Sequence, residues 1–400
     1  MDAILDDNEG NNKVERWLKV EKDYANEQLE AIRSSPRPWK PVTRKVNNHT
    51  STILASECVV AFTHLMDDFI GRFRNLDGRR NPDRFRIAKE LDRPLVDLII
   101  EFVSESLEDL MRSLRRWPNP DSKEAKVAWE DLTGWIASVS FLVVKLQSWQ
   151  EHTSYIGLDQ YSEEILKEGK KETKETQIET GLGFWNNEEK RCMDLSQKGI
   201  QQISQALSSS LLHDLKLWLK SGHSETVPHE SPGGFLRALD RAQVRSATIK
   251  TGMSEDMWKI LGSFLEDSVD LELFRALMSP IKSNRWTVEG GQRLQREVGL
   301  LIQAIGGCQP APNTSEFNKA GKTGVVSVDM KSGISYTKLK RVSSLSSLIC
   351  RPRSQILKIR AQLGDRSLDH DQTRIAIKSW GLQAMGLRDA RSVIDRLLAD

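Results

Sequence analysis

Residues 129–149 read WEDLTGWIASVSFLVVKLQSW, and the spacing of the apolar side chains in this stretch decides the fold class. They recur every three or four positions, at Trp129, Leu132, Ile136, Val139, Val143, Leu146 and Trp149. A helix makes one turn in about 3.6 residues, so this spacing gathers them on one face. Such a face has to be buried against a neighbour, and the stretch therefore predicts a packed amphipathic helix.

The same spacing recurs from Ile53 to Ile305 and again near the C-terminus, so we predict an all-α protein built as an elongated stack of helical bundles. Pro94 is expected to kink or split the third helix, because proline cannot continue the hydrogen-bond ladder. The predicted helices cover about 14–32, 51–76, 83–117, 122–152, 188–220, 235–248, 254–279, 287–305, 338–349, 354–363, 371–381 and 387–398.

A change in composition predicts the domain organisation. Residues 163–191 are rich in Glu, Lys and Thr, and the early part of this stretch has no steady apolar stripe. We therefore expect a first helical bundle over 1–165, a charged linker over 166–187, and C-terminal helical bundles over 188–400. Within the C-terminal bundles, residues 306–335 are predicted to be irregular and to form either a small hairpin or a loop.

The bulk properties suggest a cytosolic chain. The formal net charge is only +2, which gives no overall attraction to nucleic acid. The four cysteines lie far apart in the sequence, as expected in a reducing compartment. No uninterrupted apolar run reaches the roughly 18 residues of a membrane span, and the acidic N-terminus does not resemble a secretory signal.

No motif predicts an enzyme. Ala320-Gly-Lys-Thr323 is similar to the end of a phosphate-binding loop, but Glu316 stands where the loop's first glycine is needed. The seven histidines are scattered, and Cys58 lies on an apolar stripe, which favours a buried small hydrophobe. We therefore expect no catalytic, cofactor-binding or metal-binding residues.

One stretch of charge stands out. Residues 335–360 contain seven basic side chains and no acidic one. An ordinary helix with a basic solvent face would explain them. The alternative is a surface that docks an acidic partner segment or anionic lipid headgroups. The candidate partner-binding residues are Lys338, Lys340, Arg341, Arg351, Arg353, Lys358 and Arg360.

Several segments resemble the C-terminal half of the RINT/TIP family of vesicle-tethering subunits. The first helix has the family's W-x-x-x-E-x-x-x-A pattern at Trp17, and a short break leads to Trp39. Residues 69–76 are similar to a helix that ends in Phe/Tyr-Arg-x-Leu, and Leu146–Trp149 resembles a later L-x-x-W end. Residues 286–297 and 377–396 are similar to two C-terminal segments of the family. The family-motif residues to which we assign a structural role are Trp17, Trp39, Trp149, Trp286, Gly290, Gly291 and Gln292.

The resemblance implies a non-catalytic subunit of an endoplasmic reticulum tethering complex in Golgi-to-ER retrograde transport, with exocyst-like architecture. Its implied partners are ER SNAREs and a zeste-white-ten/Dsl-type subunit, although we expect the chain to lack the N-terminal arm that pairs with that subunit. The implied location is cytoplasmic, peripheral at the ER membrane. The alternatives are another exocyst-type or Golgi-type tether subunit, or a helical adaptor that binds nucleic acid or checkpoint proteins through residues 335–360.

Overall fold

The computed structural model describes residues 10–46, 50–73, 82–116, 122–153, 155–156, 158, 183–216, 218, 233–278, 288–306, 339–364, 370–382 and 384–398. Within these ranges the chain is helical apart from one two-stranded antiparallel sheet. The prediction of an all-α helical-bundle fold is confirmed. The predicted loop at 306–335 lies outside the described residues except for its first residue.

The elements follow the predicted order closely. In chain order they are α1 (Gly10–Arg33), β1 (Pro41–Val46), β2 (Thr50–Ser56), α2 (Glu57–Arg72), α3 (Pro82–Ile87), a π-helix (Ala88–Asp92), α4 (Arg93–Arg116), α5 (Lys123–Gln150), α6 (Asn186–Asp214), α7 (Gly233–Lys250), α8 (Glu255–Met278), α9 (Val288–Gly306), α10 (Lys340–Ile349), α11 (Arg353–Gly364), α12 (His370–Ser379) and α13 (Leu387–Leu398).

Contacts divide the chain into two compact units. Unit 1 consists of Met1–Ile200 and Thr248–Met253, and unit 2 of Gln201–Ala247 and Ser254–Asp400. Residues 166–182 of the predicted linker lie outside the described residues, so that boundary stays a prediction.

Helix α5 forms the centre of unit 1. Its buried side chains include Leu132, Trp135 and Ile136, and the Trp135 indole donates a hydrogen bond to the Val103 carbonyl of α4 at 2.8 Å. On another side, α5 packs against the hairpin of β1 and β2. There the Ser138 hydroxyl lies 2.7 Å from that of Ser56, and both side chains are buried.

Gly134 allows the chain to approach α5 closely. A Cβ atom at this position would lie 2.2 Å from the Trp39 carbonyl oxygen, which is backbone and cannot move aside alone. The missing side chain therefore fixes how the segment before β1 packs on α5.

The hairpin corrects one detail of the sequence analysis. The second helix was predicted to begin near residue 51, but Thr50–Ser56 is a strand and the helix begins at Glu57. The strand pairs with β1 from Pro41↔Ser56 to Val46↔Thr50. Its β-branched residues favour a strand packed on α5, and Ile53 does not belong to the helical stripe to which it was assigned.

The third predicted helix is divided near Pro94, as expected. A regular helix would need an N–H at residue 94 to bond the carbonyl of residue 90, and proline has none. The chain forms a π-helix over Ala88–Asp92 instead, in which the Arg93 N–H bonds the Ala88 carbonyl. The wider turn lets α4 begin with Pro94 in its first turn.

Unit 2 contains α6 from Gln201 onward, α7 up to Ala247, and the helices from α8 to α13. Helix α10 packs against α8 and α9, while α11 packs against α12 and α13. A buried ionic cluster lies between elements of this unit: the Trp218 indole donates to Glu297 at 2.7 Å, and Arg293 donates to the same carboxylate at 3.0 Å. Helix α12 ends at Ser379 and is followed two residues later by Gly381, whose φ of 71° suits glycine.

One helix among the described residues, α5, is long and apolar enough to cross a membrane by length and composition. Its apolar window is 61% buried inside the protein. A core helix that is enclosed by its neighbours has the same length and apolar composition.

Candidate partner-binding surface

The predicted basic segment is anchored at its start by an acidic residue from another helix. Leu339 precedes α10 and has no side chain that can cap it. Asp270 of α8 replaces the missing cap, because its carboxylate accepts hydrogen bonds from the backbone N–H groups of Arg341 at 2.8 Å and Val342 at 2.9 Å. Negative charge at a helix N-terminus also complements the helix dipole. The segment is therefore held to the rest of unit 2 from its first turn.

Three of the seven candidate residues, all of them arginines, make contacts within unit 2. Arg341 lies beside Asp270, with the closest side-chain atoms 3.9 Å apart. Arg351 donates to the Trp380 carbonyl at 3.0 Å and its guanidinium lies over the Trp380 ring. Arg360 pairs with Asp395 of α13 at 3.3 Å. These contacts give the three arginines structural roles.

The other candidates face solvent or lie outside the described residues. Lys340, Arg353 and Lys358 are exposed, and Lys338 is outside the described part of the chain. The segment is also not one helix, because α10 ends at Ile349 and α11 begins at Arg353. Helix α11 carries Arg353 and Lys358, which are exposed and make no ion pair with a described residue.

The basic surface continues beyond the segment found by sequence. Residues 338–400 contain 13 Lys or Arg and 6 Asp, so they carry a formal charge of +7 in a chain of +2. Arg374, Lys378 and Arg388 are exposed on α12 and α13. Counting charge along one uninterrupted stretch missed them, because acidic residues 365, 369 and 371 separate them from residue 360. The three-dimensional grouping of α11 with α12 and α13 brings them into one bundle.

The tryptophans of the family motifs hold unit 1 together. Trp39 is buried and stacks on Phe102 with ring centroids 5.3 Å apart, and Trp17 meets Phe73 edge-on at 4.8 Å. The buried Trp149 donates from its indole N–H to Asp67 at 2.7 Å. These residues act in packing; Trp286 lies outside the described residues.

The Gly-Gly pair of the C-terminal motif lies in a close helix contact. Gly290 and Gly291 are buried in the first turn of α9, while Gln292 is exposed. A Cβ atom on Gly291 would lie 2.6 Å from the Ile349 Cγ2 atom of α10. The absence of a side chain at residue 291 therefore permits α9 and α10 to approach each other.

A buried charged cluster in unit 1 was not predicted. The Asp92 carboxylate accepts from Arg84 at 2.9 Å and from the Tyr155 hydroxyl at 2.8 Å, and all three residues are buried. Burial and the neighbouring Asp92 charge raise the pKa of Tyr155 well above its usual value. Asp92 belongs to the π-helix, and the cluster joins α3 to the chain after α5. The three side chains are too far apart in sequence for a motif.

Arg93 holds the start of the described segment 183–216. Its guanidinium donates to the Phe184 carbonyl at 2.7 Å, lies over the Phe184 ring, and pairs with Glu188 at 2.9 Å. Burial raises the pKa of Glu188. Residues 184–188 are thereby fixed against the start of α4.

The buried thiols of Cys58 and Cys192 are poor nucleophiles. Burial raises the pKa of the Cys58 thiol to about 11 and that of Cys192 to about 12. The interpretation of Cys58 as a buried small hydrophobe is confirmed, since its exposed fraction is 3%. Among the described residues, no group of three or more His, Cys, Asp or Glu side chains could hold a metal ion.

Comparison with protein-family models matches residues 2–232 to the RINT-1/TIP-1 family. The match extends over more than half of the sequence. The chain belongs to the RINT-1/TIP-1 family. The matched residues contain Trp17, Trp39 and Trp149, so the resemblance drawn from the first helices is confirmed. The similarities at 286–297 and 377–396 lie beyond the matched RINT-1/TIP-1 region and stay predictions. No curated protein and no solved structure matches the chain.

Membership of the RINT-1/TIP-1 family assigns the chain a tethering role in general terms, in a family not known for enzymes. The structure agrees with such a role in one physical respect. Its buried carboxylates connect distant parts of the chain: Glu297 of α9 accepts a hydrogen bond from Trp218 in unit 2, and Asp92 accepts one from Tyr155 in unit 1. Helices joined in this way keep a fixed spacing between surface features.

Proposed function

We propose that the chain is a non-catalytic subunit of an ER tethering complex that acts in Golgi-to-ER retrograde transport. The observation that carries the proposal is the family match over residues 2–232. The proposed location is the cytoplasmic face of the ER membrane, where the chain is peripheral. Its proposed partners are ER SNAREs and, through the complex, a zeste-white-ten/Dsl-type subunit.

The proposed mechanism is rigid spacing combined with surface docking. In unit 1 the buried Asp92 cluster and the Arg93 contacts fix α3, α4 and the start of α6 relative to one another. A partner helix bound to one exposed face then stands at a defined distance from a partner bound to another face of the same unit. Recognition would come from amphipathic helices that lie against the helical surface.

The exposed residues of the basic segment are the candidates for partner contact. Arg353 and Lys358 lie on the solvent side of α11, and Lys340 is exposed at the start of α10. Acidic side chains on a partner helix would complement them and accelerate encounter. Arg341, Arg351 and Arg360 are held beside this surface by contacts with Asp270, Trp380 and Asp395.

The test is affinity purification of the full chain from cells, followed by mass spectrometry. We expect ER SNAREs and a zeste-white-ten/Dsl-type subunit among the recovered proteins. Recovery of exocyst or Golgi-tether subunits instead would favour the alternative tether. Recovery of neither group by a folded chain would contradict the proposal.

A matched pair of variants separates the surface from the fold. Arg353→Glu with Lys358→Glu is expected to reduce SNARE recovery, since both side chains are exposed and make no ion pair with a described residue. Lys123→Glu with Lys126→Glu makes the same charge change on the exposed side of α5 and is expected to leave recovery unchanged. Equal loss in both pairs would argue against a specific basic surface.

A further inference from the structure

Helix α12 differs from the other helices of its bundle in having no buried side chain among its described residues. Its inward positions, Thr373, Ala376 and Ile377, are only half-buried, whereas α11 and α13 each bury several apolar residues. The helix is therefore covered on one side only and lies at the surface of unit 2.

The outward face of α12 is both basic and apolar. Arg374 and Lys378 are one turn apart on it, and Ile375 lies between them with 67% of its surface exposed. Neither cation makes an ion pair or side-chain hydrogen bond with a residue whose side chain the structure describes. An exposed isoleucine beside two cations is a side chain that can enter the interface of an anionic membrane.

The end of α12 is fixed to its neighbours. The Trp380 indole donates to Gln362 of α11 at 2.6 Å, and Arg351 donates to the Trp380 carbonyl at 3.0 Å. These contacts prevent α12 from rolling its outward face inward. The orientation of Arg374, Ile375 and Lys378 is set by the fold.

Neighbouring helices add positive charge and little negative charge. Exposed Lys358 and Arg388 lie on α11 and α13, the helices grouped with α12. Among the side chains described in this bundle the exposed carboxylates are Asp389 and Asp395, and Asp395 is already paired with Arg360; the side chain of Asp371 in α12 lies outside the described part. The described side chains of the bundle thus present an excess of positive charge.

We infer that the outward face of α12 contacts an anionic membrane surface directly, through Arg374, Ile375 and Lys378. A membrane suits this face better than an acidic peptide does. A peptide helix requires a continuous apolar groove between helices, whereas this face is convex and carries a single apolar side chain. Anionic headgroups need only accessible cations, and the isoleucine can enter the region between headgroups and acyl chains.

The inference deepens the proposed function, because a tether subunit that touches the lipid itself would hold its SNARE contacts close to the membrane.

The membrane contact is tested without any SNARE. Binding of the purified full chain is measured by flotation with phosphatidylcholine vesicles that contain or lack phosphatidylserine. We expect binding only to the vesicles with phosphatidylserine, and weaker binding as salt increases.

Variants assign the binding to α12. Each cation near an anionic surface contributes a factor of roughly five in affinity, so Arg374→Gln with Lys378→Gln is expected to weaken binding about 25-fold. Ile375→Asn should weaken it about tenfold, by removing a side chain that is buried in the interface. The control for the two cations is Lys123→Gln with Lys126→Gln, and the control for Ile375 is Val144→Asn, which changes an exposed apolar residue of α5. Both controls should change binding less than about twofold.

The outcomes separate this inference from the proposed function. Absence of binding to the anionic vesicles, or undiminished binding by the α12 variants, would overturn the membrane contact. If the chain binds soluble poly-glutamate but no vesicles, and loses that binding in the α12 variants, the face docks an acidic peptide and the inference is wrong. In either case, recovery of SNAREs from cells would still support the tether.

Discussion

The indole N–H of Trp218 donates a hydrogen bond of 2.7 Å to the buried carboxylate of Glu297, 79 residues farther along the chain. The same carboxylate pairs with Arg293 at 3.0 Å. Glu297→Ala removes the acceptor from both groups and leaves the guanidinium of Arg293 buried without that charge partner. We expect unit 2 to lose about 3 kcal/mol of unfolding free energy, measured by denaturant unfolding followed by tryptophan fluorescence. The control is Glu272→Ala, which breaks an exposed pair with Arg275 and should cost less than about 0.5 kcal/mol. Similar losses in both variants would contradict the importance of the buried site.

Asp270→Ala is predicted to loosen the first turn of α10. The variant removes the acceptor for the N–H groups of Arg341 and Val342. Loss of a capping side chain costs about 1–2 kcal/mol, and the effect should be local. Amide hydrogen exchange is expected to accelerate at residues 341 and 342, while Asp267→Ala, an exposed change on the same helix, leaves them protected. Unchanged protection in the Asp270 variant would show that the cap is dispensable.

Two glycine substitutions should have opposite signs. Gly134→Ala places a Cβ atom 2.2 Å from the Trp39 carbonyl, and the required backbone shift should destabilise unit 1 by about 2 kcal/mol or more. Gly71→Ala lies in α2 with nothing within 4 Å of the added atom, and should stabilise by up to about 1 kcal/mol because alanine favours helix. Thermal unfolding of both variants provides the measurement. A stabilised Gly134 variant would refute the close approach of Trp39 to α5.

Thiol labelling should depend on pH in a way set by burial. The pKa of Cys58 is raised from 9.0 to about 11, so at pH 8 only about one thousandth of this thiol is ionised. Labelling of Cys58 and Cys192 in the native chain should be slow, and should accelerate about tenfold per pH unit up to the raised pKa. Of these three cysteines, Cys350 is partly exposed and should react before the other two. Peptide mass spectrometry after timed alkylation distinguishes the sites, and fast labelling of Cys58 at pH 8 would be the contrary result.

The same two pKa values predict a loss of stability in alkali. Between pH 9 and the raised pKa values of about 11 and 12, the unfolded thiols release protons that the folded ones retain. The folded chain binds more protons in this window, so its stability decreases as pH rises. Replacing Cys58 with Ala should flatten the pH dependence over pH 9–11, as measured by denaturant unfolding at fixed pH values. An unchanged slope would show that this thiol does not differ between the folded and unfolded states.

Periodicity predicted most of the helices, because each buries one face and repeats the same residue spacing. The hairpin was missed because Ile53 continued the apolar run of α2 in sequence, although it lies in a strand. The site was predicted only in part. A charge count along residues 335–360 cannot show that Arg351 packs on Trp380, or that Asp270 caps α10 from 71 residues away. Such long-range pairs carry no local sequence signal.

The cap that Asp270 places on α10 has a consequence for how the basic surface can be studied. We expect the helix to begin properly only where α8 is folded beside it, because Leu339 at its N-terminus has no side chain that can replace the Asp270 carboxylate. A synthetic peptide that contains residues 338–400 would carry all the charge and lack the residue that starts its first helix. Binding measured on such a peptide would report only the electrostatic attraction of an unfolded basic segment. Selective binding by this surface requires the whole of unit 2.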